Sequence, residues 1–347
     1  MDNCFVFLFH KHASRGPISV IWDITAGCNL NCIFCDRGKA EKGPLSTGEK
    51  ELNTLDKLKI TRKLAQSGVC ILSLCGGEPL LCHDLAEVIK EAKLKKMFVN
   101  VSTNGLLLEE KARMLVGAGV DSVTVSIDSH LPDNQDSWRG HKGLFRQIEK
   151  GIQAIRTLAQ KKSISIEARC LINKINAFSL RDFADFWQDK VDFIIFKPIY
   201  ENLFALYRIP ECMRFLPQDE PKFRDYFGNF LRDYPAFNNN YNRKIPDFLF
   251  GSPDLKDEAL CFAGTFFAGL NYQGNLSPCQ EITTFAYKPP GNLLKEDFLC
   301  LWNSNEMNKL RAYFSKGLHC HCWMDRFILN IYLDRFLKPV KRIFKVN

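Results

Sequence analysis

Apolar, β-branched-rich runs alternate with longer amphipathic runs through the first two hundred residues of the chain. "ISVIWDIT" (18–25) reads as a strand, "EKELNTLDKLKITRKLAQSG" (49–68) as a helix closed by Gly68, and "VCILSLCGG" (69–77) as the next strand. The alternation continues with helices at 84–95, 109–118, 143–162 and 179–189 and strands at 97–103, 121–127, 163–172 and 192–199. Strands joined by helices of this length run parallel under the right-handed crossover rule. The pattern therefore predicts an α/β fold, a partial (β/α)6 TIM-like barrel rather than a flat dinucleotide-binding sheet. Chemistry in such folds sits in the loops after the carboxyl ends of the strands. Here those loops are "AGCNLNCIFC", "GGEP" (76–79), "STNG" (102–105), "SIDS" (126–129) and "KPIY" (197–200).

Beyond residue 200 the alternation fades. Of the 28 phenylalanines, 19 lie between Phe178 and Phe314, which predicts an irregular region packed by its own rings or a ring-lined pocket for an apolar or sugar-ring substrate.

Composition narrows the class. A chain of 347 residues with 46% hydrophobic residues fills a real core, and the opening "CFVFLF" is too short for a signal peptide or a membrane span. A cytoplasmic protein is expected, so the 14 cysteines stay reduced and point to metal or redox chemistry rather than disulfides. The net charge of +8 is uneven: from Arg326 onward six basic residues face Asp334 alone, which leaves the rest close to balanced. No basic face for nucleic acid is expected.

Cys28, Cys32 and Cys35 stand in C-x3-C-x2-C spacing with no further Cys or His before Cys70. Three thiolates on one short loop hold three corners of a [4Fe–4S] cubane and leave one iron open. Zinc, normally closed by a fourth ligand at short spacing, and unligated core cysteines are the alternatives. "GGEP" after the second strand, with Phe34 directly before the third cysteine, resembles the radical S-adenosylmethionine (radical SAM) superfamily over residues 18–200. The resemblance implies that Cys28, Cys32 and Cys35 bind a [4Fe–4S] cluster whose open iron is chelated by SAM, that Gly76, Gly77 and Glu78 hold the SAM ammonium, and that Phe34 belongs to the SAM-binding residues. "VSIDS" and "SWRGHKGLF" resemble the branch of anaerobic sulfatase-maturating and peptide-modifying enzymes, in which Ser126 would meet the ribose and Arg139 the SAM carboxylate. Asp128 is more simply a turn cap, and Cys75, where Ser or Thr commonly precedes "GGEP", a small buried residue.

A second cysteine set follows. Cys261, Gly274 and Cys279 stand in C-x12-G-x4-C, matching the opening of the auxiliary-cluster module called SPASM or, shortened, twitch. Its glycine would turn the hairpin "LNYQGNLSPC". With Cys320 and Cys322 the resemblance implies one auxiliary [4Fe–4S] cluster without an open iron; the tight C-x-C pair departs from the family's wider spacing, and four-thiolate zinc is the alternative. The chain thus divides into an N-terminal extension (1–17), the core barrel (18–200), an irregular connecting region (201–258), the twitch/SPASM-like domain (259–325) and a basic amphipathic C-terminal helix (326–347).

The resemblance implies reductive cleavage of SAM and hydrogen-atom abstraction, fed by an external one-electron donor such as flavodoxin or ferredoxin. A closed auxiliary cluster suits removal of a second electron, so oxidation of a sugar, nucleotide-sugar or lipid-linked small molecule is the first reading. A peptide-modifying maturase is the second, weakened by the short stretch before the first strand, and a non-catalytic iron–sulfur electron-transfer or scaffold protein the third. Glu281 and Glu201 are the candidate proton acceptors by location, with Lys197 and Tyr200 as substrate binders. The terminal helix either packs on the barrel or touches an anionic membrane surface from the cytoplasmic side.

Overall fold

Strands form where the alternation predicts them: β1 (Ser19–Thr25), β2 (Ile71–Gly76), β3 (Phe98–Thr103), β4 (Ser122–Ser126), β5 (Ser165–Ile172) and β6 (Phe193–Pro198). Between them run α1 (Thr54–Gln66), α2 (Leu85–Leu94), α3 (Leu108–Ala118), α4 (Pro132–Arg139), α5 (Leu144–Leu158) and α6 (Leu180–Trp187). The computed structural model describes residues 16–37, 50–159, 163–201, 208–251, 263–282, 289–315 and 322–323. Neighbouring strands are parallel in the order β6-β5-β4-β3-β2-β1, the sequential arrangement of a partial barrel. Helix ends follow local chemistry: the Asn53 side chain accepts from the Asp56 amide to cap α1, and Gly119, with φ of +88°, ends α3 in the left-handed region.

Period-two alternation sorts the two faces of each strand. In β5, Ile166, Ala168, Cys170 and Ile172 are fully buried beneath the helices, whose apolar stripes, such as Leu144, Phe145, Ile148, Ile152 and Ile155 of α5, cover them. The opposite face turns inward and is mixed: Asn100, Thr124, Ser126, Glu167 and Arg169 line the lumen together with Ile21, Ile71, Phe98, Leu171 and Ile195. A filled barrel packs this layer with branched apolar side chains. Here hydroxyl, amide and charged groups take up part of that layer, and a cavity of about 1050 Å³ remains.

The sheet does not stop at β1. β7 (Phe267–Leu270) pairs with β1 in parallel, β8 (Asn275–Ser277) returns antiparallel, and β9 (Gly291–Asn292) completes a nine-stranded sheet among the described residues. Gly274, at φ of +84°, makes the hairpin turn that the C-x12-G-x4-C pattern predicts. Trp22 donates through Nε1 to the Asn271 carbonyl at 3.2 Å, fastening the hairpin to the barrel. The segments α10 (Phe298–Trp302) and α11 (Asn305–Ser315), numbered after the three helices below, close this end.

Within the described residues 208–251 of the connecting region, a stretch expected to be irregular includes three helices. α7 (Glu220–Asp233) buries Phe223, Phe227, Phe230 and Leu231 at three- and four-residue steps, followed by the short α8 (Asn240–Arg243) and α9 (Ile245–Phe250). The rings serve as core. Phe223 stacks on Phe227 at 5.2 Å and Phe196 of β6 meets Phe230 edge-on at 5.5 Å, which holds α7 beside the edge strand. Both termini, including the stretch 326–347, lie outside the described residues, and among these no helix is long and apolar enough to cross a membrane.

Candidate active site

The cysteine loop leaves the carboxyl end of β1 and is held by three neighbours. The Ile33 amide donates to the Trp138 carbonyl at 3.0 Å, Asn104 donates through Nδ2 to Asn29 Oδ1 at 2.8 Å, and Gly140 lies so close that a Cβ there would stand 2.6 Å from the Asn31 carbonyl oxygen. The last contact comes from the end of α4, which the strand and helix alternation does not foresee. Cys32 is buried and Cys28 and Cys35 are half-buried, all three as free thiols lining the lumen. Burial pushes Cys32 up to about 11, against the pull of Arg139, and raises Cys28.

"GGE" runs against the start of this loop. A Cβ on Gly77 would stand 1.9 Å from the Gly27 carbonyl oxygen, so only glycine permits the contact. The Gly77 amide donates to Thr25 O at 2.9 Å and the Glu78 amide to Gly27 O at 2.7 Å. The Glu78 carboxylate, fully buried, accepts from Thr103 Oγ1 at 2.7 Å, the Asn104 amide at 2.7 Å and the Leu80 amide at 3.0 Å. Burial nevertheless pushes it up to about 7. Its visible work is to tie the loops after β2 and β3 together.

Arg139, from the last turn of α4, forks onto Asp128 Oδ2 through Nη2 at 2.6 Å and Nε at 2.8 Å and lies 5.1 Å over the Phe34 ring. Burial works against its charge, but Asp128, together with the Cys32 and Cys35 thiols, more than offsets this and keeps the guanidinium protonated. Asp128 also receives the Leu171 amide at 2.9 Å, so it orients the arginine rather than merely capping a turn. Ser126 ends β4 and faces the same lumen, as do Gly76, Gly77 and Phe34.

The far wall comes from the segment after β8. Tyr200 donates to Glu281 Oε1, and Lys197 Nζ donates to Tyr200 at 2.9 Å, so Glu281 stands in the lumen beside the end of β6. Glu201 does not join them. It is exposed, pairs with Arg214, and is absent from the cavity wall. Of the second cysteine set, Cys279 and Cys322 are buried, whereas Cys261 and Cys320 lie outside the described residues.

Asp23, Arg37, Cys75 and Gln280 form a polar cluster that motif spacing does not reveal. Asp23 accepts from Arg37 Nη2 at 2.7 Å, from Gln280 Nε2 at 2.7 Å and from the Cys75 thiol at 3.4 Å. The one sequence signal is a lone carboxylate inside the apolar run "VIWDIT".

Three cysteines on an eight-residue loop, open to the lumen beside a charged arginine, fit an iron–sulfur cluster. Among the described residues no three potential ligands converge on a single ion position, whereas a cubane takes its thiolates at separate corners.

Residues 22–173 match the family model of the radical SAM superfamily, and residues 261–323 that of SPASM, an iron–sulfur cluster-binding domain. Among curated relatives, the AdoMet-dependent heme synthase of Methanosarcina barkeri is 35% identical over 41% of this chain and 40% of its own length. The GTP 3',8-cyclase of Limosilactobacillus fermentum is 33% identical over 52% of this chain and 54% of its own length. The matches thus span about half of those proteins or less. Of solved structures, Streptococcus suis SuiB superposes with a TM-score of 0.67 at 15% identity, covering 90% of this chain and 71% of SuiB. Native anSMEcpe with bound AdoMet superposes at 0.64 with 17% identity, covering 86% of this chain and 83% of that one. At such identities the likeness shows the shared fold. The chain combines a radical SAM domain over residues 22–173 with a SPASM iron–sulfur cluster-binding domain over residues 261–323, and its cofactors are a [4Fe–4S] cluster, S-adenosylmethionine and an auxiliary cluster.

Proposed function

We propose that this radical SAM enzyme carries out a net two-electron oxidation of a small polar substrate held in the barrel lumen. The observation that carries the reading is a cavity of about 1050 Å³, walled on one side by Cys28, Cys32, Cys35 and Arg139 and on the other by Glu281, two residues beyond Cys279. When bound, the cluster and SAM supply a 5′-deoxyadenosyl radical that takes a hydrogen atom from substrate. Cys28, Cys32 and Cys35 hold the cluster as thiolates. Gly76 and Gly77 bring backbone close to the SAM amino group, and Glu78 fixes that backbone through its three hydrogen bonds. Arg139, oriented by Asp128 and carrying further guanidinium donors, takes the SAM carboxylate. Ser126 meets the ribose and Phe34 shields the cluster loop from water. Glu281 accepts the substrate proton, with Tyr200 and Lys197 fixing its position. Cys261, Cys279, Cys320 and Cys322 would hold the auxiliary cluster, which would take the substrate's remaining electron, and a flavodoxin or ferredoxin would supply the separate electron that cleaves SAM.

The lumen's hydroxyl and amide groups, set among apolar side chains such as Ile21, Phe98 and Ile195, support a sugar, a nucleotide-sugar or the polar head of a lipid-linked molecule, with polar edges and an apolar ring face to match. A peptide is the second reading, supported by solved structures of the same fold described as SuiB bound to precursor peptide SuiA and anSMEcpe with bound AdoMet and Cp18Cys peptide. The test is anaerobic reconstitution, reduction, and assay for 5′-deoxyadenosine, followed by incubation with cell extract and mass spectrometry. The reading expects SAM cleavage that disappears when Cys28, Cys32 and Cys35 are all changed to Ala, and an extract species lighter by two hydrogens. Cleavage that survives the triple change refutes the cluster assignment. Unchanged mass with solvent deuterium taken up refutes oxidation in favour of epimerisation, and failure to bind SAM returns the protein to the electron-transfer class.

A further inference from the structure

Asp23 gathers three parts of the chain that sequence keeps far apart. Its Oδ2 takes Arg37 Nη2 at 2.7 Å, two residues beyond Cys35; its Oδ1 takes Gln280 Nε2 at 2.7 Å, next to Cys279 and 257 residues away in sequence. The same Gln280 amide reaches Cys75 Sγ at 3.1 Å, directly before the "GGE" turn, and the Cys75 thiol donates back to Asp23 at 3.4 Å. The carboxylate is fully buried and Arg37 nearly so, where each charge-assisted bond is stronger than at a surface.

We infer that Asp23 is a positioning residue that sets the Cys279 segment in register with the cysteine loop and the "GGE" turn. The inference rests on the reading that both cysteine sets hold clusters. It supplies what that reading lacks: a physical link that fixes the spacing of the two. β7 pairs with β1 only from Ser19 to Trp22, so the strand ladder ends before Asp23 and the loops above need another tie. One carboxylate shared by Arg37 and Gln280 is that tie. A change on the auxiliary side is passed to Arg37, two residues beyond Cys35, through two hydrogen bonds.

Asp23→Asn would leave Arg37 buried beside a neutral amide and would test folding more than registry. Gln280→Leu is the informative variant, because it removes the donor and keeps the bulk of a half-buried side chain. In the reconstituted full chain, hydrogen exchange of the peptide over residues 22–37 should quicken about tenfold, as expected for loss of one charge-assisted bond. The magnetic interaction between the two reduced clusters should weaken while iron content stays at the wild-type level. Gln280→Glu should restore both at acidic pH, where the introduced carboxyl keeps its proton and donates to Asp23, and lose them as pH rises. Unchanged exchange in Gln280→Leu overturns the inference, as does a quickening that Gln280→Glu fails to reverse at any pH. A wild-type protein with iron for one cluster only refutes the reading of the second cysteine set, and the exchange data still decide the role of Asp23.

Discussion

Glu78 offers the sharpest quantitative test, because its buried carboxyl couples protein stability to pH. Burial carries it from the ordinary 4.5 up to about 7, even though three hydrogen bonds favour the charged form. The native state therefore binds the proton more tightly than the unfolded chain does. Stability from this group is complete below about 4.5 and is lost as pH rises to about 7. At about 1.4 kcal/mol per pH unit, that interval is worth about 3 kcal/mol. Glu78→Gln removes the titration and puts an amide N–H₂ where an oxygen accepts, a cost of about 1–3 kcal/mol that does not vary with pH. Urea unfolding of both proteins at half-unit steps from pH 5 to 8 gives the difference in stability. That difference should shrink by about 2–3 kcal/mol over the series, wild type losing its advantage as pH rises. A constant difference across the series would refute the argument and mean that Glu78 is ionised throughout.

Three further outcomes follow from the same geometry. Gly77→Ala drives a Cβ into the Gly27 carbonyl, 1.9 Å away, and should cost about 1–3 kcal/mol in urea unfolding together with SAM affinity; an unshifted midpoint would contradict the contact. Arg139→Lys keeps the charge but loses the fork onto Asp128, so SAM binding by equilibrium dialysis should weaken about tenfold, and undiminished affinity would remove Arg139 from the site. Glu281→Gln should lower product formed per SAM cleaved by about a hundredfold or more, whereas Glu201→Gln, on the exposed Arg214 pair, should stay within about twofold of wild type. The opposite ranking would move the proton acceptor out of the lumen.

The barrel and its cysteine loop were legible from the chain alone because both are local in sequence. Period-two and helical periodicities report which face of a short segment avoids water, and the crossover rule turns their alternation into parallel order without knowledge of any long-range contact. The thiols lie within eight positions, so spacing itself limits what they bind. The stripe of Phe223, Phe227 and Phe230 is equally local, its three- and four-residue steps masked by the many other rings, Pro and Asn around it. Other features depend on which distant segments share the lumen. Nothing in the wording of "KPIYE" and "CQE" distinguishes Glu201 from Glu281; only the closure of β6 against the segment after β8 brings one carboxylate onto Tyr200 and leaves the other with Arg214 outside. Likewise β7 lies on β1, and Gln280 on Asp23, because the free edge of β1 offers unpaired backbone groups that a distant strand satisfies. Local patterns determined the elements and the chemistry each loop carries; tertiary packing decided which loops meet, since a hydrogen bond across 257 residues leaves no periodic trace in either partner's neighbourhood.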